Sequence, residues 1–102
     1  MEALNTLDHE ISLKKLFDQI NAEHFEGRLK TPHLFWNSRI RASAGRFIPC
    51  NRVLFQTGTS TPVIDIARYL LEEKNVLELV EDTLAHEMIH YWLWAQKKDY
   101  GH

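Results

Sequence analysis

From Asn75 to about Gln96 the sequence reads as one uninterrupted helix. Asn75 can cap it, and Glu78 stands three residues on, close to the arrangement of a capping box. The apolar residues (Val76, Leu77, Leu79, Val80, Leu84, Ala85, Met88, Ile89, Trp92 and Leu93) lie almost all round the helix. Such a helix is expected in the middle of a domain, not on its surface. The rest of the chain then has to pack about it.

Inside this apolar stretch sits His86-Glu87-Met88-Ile89-His90, an HExxH pattern. At about 100° per residue, positions four apart fall on nearly the same side, so both imidazoles can reach one cation. Zinc takes neutral histidine nitrogens in a tetrahedral site, and a catalytic site leaves one position open. Glu87 is rotated about a quarter-turn from that line. It can act as a base, taking a proton from the attacking water and passing it to the leaving amine. Three fixed letters in five also occur by chance on solvated surface helices. Two histidines and an acid in an apolar helix argue against that reading, because burying them unpaired is costly and a metal removes the cost.

Two histidines do not complete a protein ligand set. The extended pattern, with Gly three and His six residues after the second histidine, is not met: Leu93 and Gln96 stand there. The helix is expected to leave at "KKDYG", where a basic pair and a glycine suit a C-terminus. From His90 to Gln96 a helix rises about 9 Å, and the six steps to His102 span up to about 20 Å if extended. His102 can therefore double back to the metal. Asp99 is a second candidate nearer the helix end, and His9, His24 and His33 lie elsewhere, with His24 expected beside the first helix's core.

A chain of 102 residues is one domain by length. Its 44% hydrophobic and 25% charged residues exclude the disordered class. No apolar run is of membrane-spanning length, and the opening residues lack the pattern of a secretory signal. Cys50 is the lone cysteine, which excludes an internal disulfide framework and a cysteine-rich zinc ribbon within these residues. An intracellular monomer is the expectation.

Upstream, Asp8 to Glu26 reads as an amphipathic helix with Leu13, Leu16, Phe17, Ile20, His24 and Phe25 on one face and a stop at Gly27. Three strands are expected near His33–Ser38, Ala42–Ile48 and Arg52–Thr57, the last two joined by a turn at "PCN". A further helix is expected after Ser60 or Thr61, with Pro62 in its first turn and Ile64, Ala67, Leu70 and Leu71 as its apolar face.

Net charge is only −2, but it is unevenly placed. From Gly27 to Ile64 there is no acid, while Arg28, Lys30, Arg39, Arg41, Arg46 and Arg52 give +6. The remainder carries six basic against fourteen acidic residues, hence −8. A basic middle suits contact with a polyanion through one face, and a solvated strand surface is the plainer reading.

Beyond the HExxH pattern, "INAEHFEGRL", "WNSRIRASAGRF", "RVLFQ" and "LAHEMIHYWLWAQKKDYGH" together resemble the SprT-like zinc metalloprotease domain, the family of bacterial SprT and eukaryotic Spartan. The resemblance runs over nearly the whole chain. It implies zinc held by His86, His90 and His102, with Glu87 as the catalytic glutamate. It further implies protein cleavage, in Spartan-like members of proteins crosslinked to DNA, and it gives the six basic residues a phosphate backbone to track. Trp36 and Phe47 could stack on bases or belong to the core. Relatives usually continue past the Gly-His pair, so residues 1–102 are expected to be either a trimmed catalytic core or a minimal version.

The reading is thus an α+β, zincin-like SprT domain. It has an N-terminal helix, a small three-stranded twisted sheet, and two further helices with the HExxH on the last. The expected function is zinc-dependent endopeptidase action on DNA-associated or DNA-crosslinked proteins, with substrate extended along a sheet edge. Tyr100 is a candidate donor to the oxyanion. The rival is a non-catalytic zinc-stabilised module that binds DNA or protein. The partners expected are a protein substrate and DNA, with no membrane.

Overall fold

The order of elements is α1 (Leu13–His24), β1 (His33–Asn37), β2 (Gly45–Ile48), β3 (Val63–Ala67), a short 3-10 helix (Arg68–Glu72) and α2 (Val76–Tyr100). These come from a computed structural model, which describes residues 11–49 and 61–100, the last three of them as backbone alone. The class is α+β, as expected.

Helix α1 starts later than its periodicity suggested. Ile11 and Ser12 are not helical, and Ser12 is the cap, its Oγ accepting from the Lys15 amide at 3.2 Å. Leu13, Leu16, Phe17 and Ile20 are buried, so the predicted face is right for them. His24 is not part of it: its side chain is 67% exposed. The helix stops as Phe25 and Gly27 both donate to the Asn21 carbonyl, with Glu26 and Gly27 at φ 58° and 69°. Gly27 takes that left-handed conformation without strain. Asn21 then holds the returning chain, donating from Nδ2 to the Leu29 carbonyl and accepting from the Leu29 amide.

The sheet corrects one expectation. Val63–Ala67, expected within a helix led by Pro62, is a strand, and the central one. Strand order is β1-β3-β2, with β1 parallel to β3 (His33 opposite Val63, Asn37 opposite Ala67) and β2 antiparallel to it (Gly45 opposite Ile66, Ile48 opposite Val63). Pro62 just precedes the strand and has no amide hydrogen to lose, while its carbonyl accepts from His33. All five residues of β3 are buried, the mark of a strand with neighbours on both sides. Only Arg68–Glu72 winds helically. The expected strand Ala42–Ile48 is shortened to Gly45–Ile48, and Arg52–Thr57, with most of the "PCN" turn, lies outside the described residues.

Helix α2 is also not buried all round. Val76, Val80, Leu84, Met88 and Tyr91 face the core, with Phe17, Ile64 and Ile66 opposite. Leu77, Ile89 and Leu93 are exposed, Leu93 by 57%. One stripe is enough to fix the helix on a small sheet. Aromatics complete the seam: Phe47 stacks on Tyr91 at 5.5 Å and meets Trp94, while Phe25 meets Trp92. Trp36 and Phe47, both partly buried, pack against the core cluster, in line with the core reading of these two residues. Tyr91 also donates its hydroxyl to the Lys30 carbonyl at 2.9 Å, tying α2 to the chain that enters β1. No helix among the described residues is long and apolar enough to cross a membrane.

Candidate metal centre and cleft

Four-residue spacing puts His86 and His90 on one face of α2, and that face is exposed. Their Nε2 atoms are 3.2 Å apart and their rings stand edge to face at 83°. Two nitrogens each about 2.0–2.1 Å from a tetrahedral zinc lie about 3.3 Å apart, so the pair is spaced to share one ion. The fit of these two residues to a zinc is good. The reason differs from the one read in sequence, since it is not the histidines that are buried.

The buried member is Glu87, with 8% of its surface exposed. Burial raises its carboxyl pKa above the ordinary value, the nearby histidines lower it, and the charge of Asp65 adds a further rise. It lines a cleft of about 380 Å³ that it shares with Asp82, Thr83 and His86 on α2 and with Ser43, Ala44 and Gly45 at the entry to β2. A carboxylate on the wall of a cleft beside two convergent imidazoles can move a proton to or from a group bound there.

What holds the cleft together was not foreseen. Asp65 of β3 is fully buried, and directly across the register stands Arg46 of β2. Arg46 donates from Nε to Oδ1 at 3.3 Å and from Nη2 to Oδ2 at 2.7 Å, and Asn37 adds Nδ2 to Oδ2 at 3.0 Å. A charge inside the run "VIDIA" is itself a signal that a partner must exist. Gly45 sets the wall spacing: a Cβ there would lie 2.8 Å from Thr83 Cγ2 and 2.9 Å from the Asp65 carbonyl. A glycine opening a strand is the corresponding signal for close approach.

The other expected site residues are dispersed. Arg46 is committed to Asp65, and Arg28 pairs with Glu26 at 3.1 Å. Lys30 is exposed beyond α1, while Arg39 and Arg41 are exposed on the loop between β1 and β2. Arg41 lines a pocket of about 370 Å³ with Ser38, Arg68 and Tyr69. Arg52, Cys50, His9 and His102 lie outside the described residues, and Asp99 and Tyr100 are described as backbone alone. Among the described residues no three His, Cys, Asp or Glu side chains gather as a metal site. Helix α2 continues to Tyr100, four residues past the expected exit near Gln96. Ten residues beyond His90 it has risen about 15 Å, so His102 can return to the pair only if the last turns open.

Comparison with known proteins agrees with the pattern of residues. Protein SprT-like of Streptococcus suis (strain 05ZYH33) is 30% identical over 92 residues, covering 90% of this chain and 56% of the relative. Protein SprT-like of Streptococcus pneumoniae (strain Hungary19A-6) is 32% identical over 84 residues, 82% of this chain and 48% of the relative. That of Streptococcus gordonii is 28% identical over 92 residues, 90% and 55%. The chain therefore spans about half the length of the curated relatives it matches. No solved structure matches it. The SprT-like family profile matches residues 13–102, which takes in α1, the sheet and the histidine pair, and the chain belongs to the SprT-like family.

Proposed function

We propose that this domain is a zinc-dependent endopeptidase, acting on proteins associated with or crosslinked to DNA. The observation that carries the reading is the 3.2 Å approach of the His86 and His90 Nε2 atoms beside a cleft lined by Glu87. His86 and His90 would hold the ion, with His102 as the third ligand. When bound, zinc would polarise the scissile carbonyl and stabilise the charge that develops on its oxygen.

The chain's own residues would do the rest. Glu87 takes a proton from the attacking water and hands it to the departing amine, a task that suits a carboxyl whose proton affinity is raised by burial. Strand β2 is at an edge among the described strands, and residues 43–45 lead from the cleft into it. An extended substrate could pair with that edge and lay its backbone past Glu87. The loop that precedes these residues carries Arg39 and Arg41, both exposed and suited to a phosphate backbone.

The test is Glu87→Gln beside wild type, both loaded with zinc and assayed on an unfolded basic protein with and without single-stranded DNA. Retained zinc with abolished cleavage in the variant supports the peptidase. Equal cleavage by both proteins removes it. Zinc retained by a wild type that cuts nothing favours the rival, a zinc-held binding module.

A further inference from the structure

We propose that the open edge of β1 is a docking site for an extended segment of a partner protein. That segment carries apolar residues at alternate positions and acidic residues on its flanks. β1 and β2 lie on opposite sides of β3, so the site is on the far edge of the sheet from the cleft and does not depend on the peptidase reading.

The pairing of β1 shows which of its backbone groups are left over. His33 stands opposite Val63 and donates its amide to the Pro62 carbonyl at 2.9 Å. Successive residues of a strand turn these groups to alternate sides, so His33, Phe35 and Asn37 serve β3. Leu34 and Trp36 therefore aim their amides and carbonyls at the open edge, and no other described residue bonds them. Natural edges are blunted by charges, bulges or proline. The run "HLFWN" holds no Lys, Arg, Asp, Glu or Pro.

A groove of about 450 Å³ lies between this strand and the start of α1. Phe35 lines it together with Leu34 and Trp36, whose side chains point to the opposite face of the sheet. The groove thus follows the edge and not one face. Ile11, Leu13 and Pro32 make its other wall apolar, and Phe35 is 43% exposed. An added strand would bond Leu34 and Trp36 and seat alternate side chains on that wall and on Phe35.

Charge selects the flanks. No Asp or Glu lines the groove, whereas Lys14 and His33 do. Lys14 is held by Asp18 at 2.7 Å. Lys15 and Lys30, each next in sequence to a lining residue, are exposed and pair with no acid among the described residues. The rim therefore keeps a positive excess within a chain of net charge −2, and acidic flanks complement it.

The probe is a fluorescein-labelled peptide of alternating valine and threonine flanked by glutamates, titrated against the full chain and checked for integrity by mass spectrometry. Binding should weaken about fivefold when the flanks are lysine. N-methylation of every second residue should weaken it at least about tenfold in one phase and little in the other, since only one set of amides faces β1. Hydrogen exchange read by NMR should show the Leu34 and Trp36 amides slowed about tenfold by the peptide, with His33 and Phe35 unchanged. Equal binding of acidic and basic flanks overturns the stated partner. Indifference to N-methylation in both phases, or protection of β2 amides in place of those of β1, overturns the edge. Binding seen only after removal of residues 1–10 assigns the groove to the chain's own start and overturns the proposal. So does protection of Leu34 and Trp36 that grows with protein concentration when no peptide is present, which assigns the edge to a second copy.

Discussion

Arg46 and Asp65 face each other across β2 and β3 and join through two hydrogen bonds, of 3.3 and 2.7 Å, the guanidinium half exposed and the carboxylate fully buried. The asymmetry decides what each can do. Asp65 has no access to water and depends on Arg46 and Asn37, whereas Arg46 spends part of its length in solvent.

Removing Arg46 should therefore act on stability before anything else. Arg46→Ala leaves a buried carboxylate with Asn37 alone, at a cost of about 1–3 kcal/mol. Arg46→Lys should recover part of it, since one donor can still reach Asp65 but the fork is lost. Urea unfolding of the three proteins measures this. The same result separates Arg46 from Arg39 and Arg41: a double alanine variant at those two exposed positions should weaken DNA binding at low salt with an unchanged unfolding midpoint. A fall in DNA affinity for Arg46→Ala alone, with stability intact, would reverse the assignment.

Gly45 offers a second test of how the cleft is built. Gly45→Ala sets a methyl 2.8 Å from Thr83 Cγ2 and 2.9 Å from the Asp65 carbonyl. The first neighbour can yield and the second is backbone, so a loss of about 1–3 kcal/mol is expected. Adding Thr83→Ser removes only the yielding neighbour and should recover less than half of it. Full recovery in the double variant would mean that the strand, too, can move.

Glu87 gives the domain a pH signature in its metal-free form. Burial raises its folded-state pKa above the ordinary 4.5. The folded protein thus binds more protons than the unfolded chain between those two values, and stability falls as pH rises through that window. Below 4.5 the group costs nothing, and above its folded pKa the cost is complete. Glu87→Gln in zinc-free protein should match wild type at the acid end and exceed it at neutral pH. Urea midpoints from pH 4 to 8 check the crossing, and parallel curves would show that Glu87 is not desolvated.

The pair His86 and His90 was legible because its geometry is local: helical spacing alone brings the rings together. Helix α1's apolar face and its stop at Gly27 were legible for the same reason. Val63–Ala67 was not. Ile64, Ala67, Leu70 and Leu71 satisfy a helical stripe, yet Val63, Ile64 and Ile66 are β-branched, and a short apolar run suits either state. The deciding energy lies in hydrogen bonds to two strands distant in sequence, which no window contains. Asp65 was legible only as a charge in need of a partner, and its partner Arg46 lies on a strand distant in sequence. The exposed face of α2 went unseen because an apolar helix was taken to need cover on all sides, while one stripe against a three-stranded sheet suffices.

The end of α2 should respond to metal. In the described structure the helix runs to Tyr100, about 15 Å beyond His90 along the axis, and His102 is two residues further on. Those two can span at most about 7 Å. If His102 is the third ligand, helical hydrogen bonds after Gln96 must be given up when zinc binds, and the metal has to offset their loss. Zinc titration followed by backbone NMR should then move Lys97 to Tyr100 from helical to extended chemical shifts, while Thr83 to Met88 keep theirs. At a hundredfold excess over its dissociation constant the ion adds about 2.7 kcal/mol of stability. His102→Ala should reduce that gain and leave Lys97–Tyr100 helical at any zinc concentration, whereas His86→Ala should abolish the gain. Zinc binding of equal strength in His102→Ala, with the helix end unmoved in wild type, would remove His102 from the ligand set and require the third ligand from elsewhere.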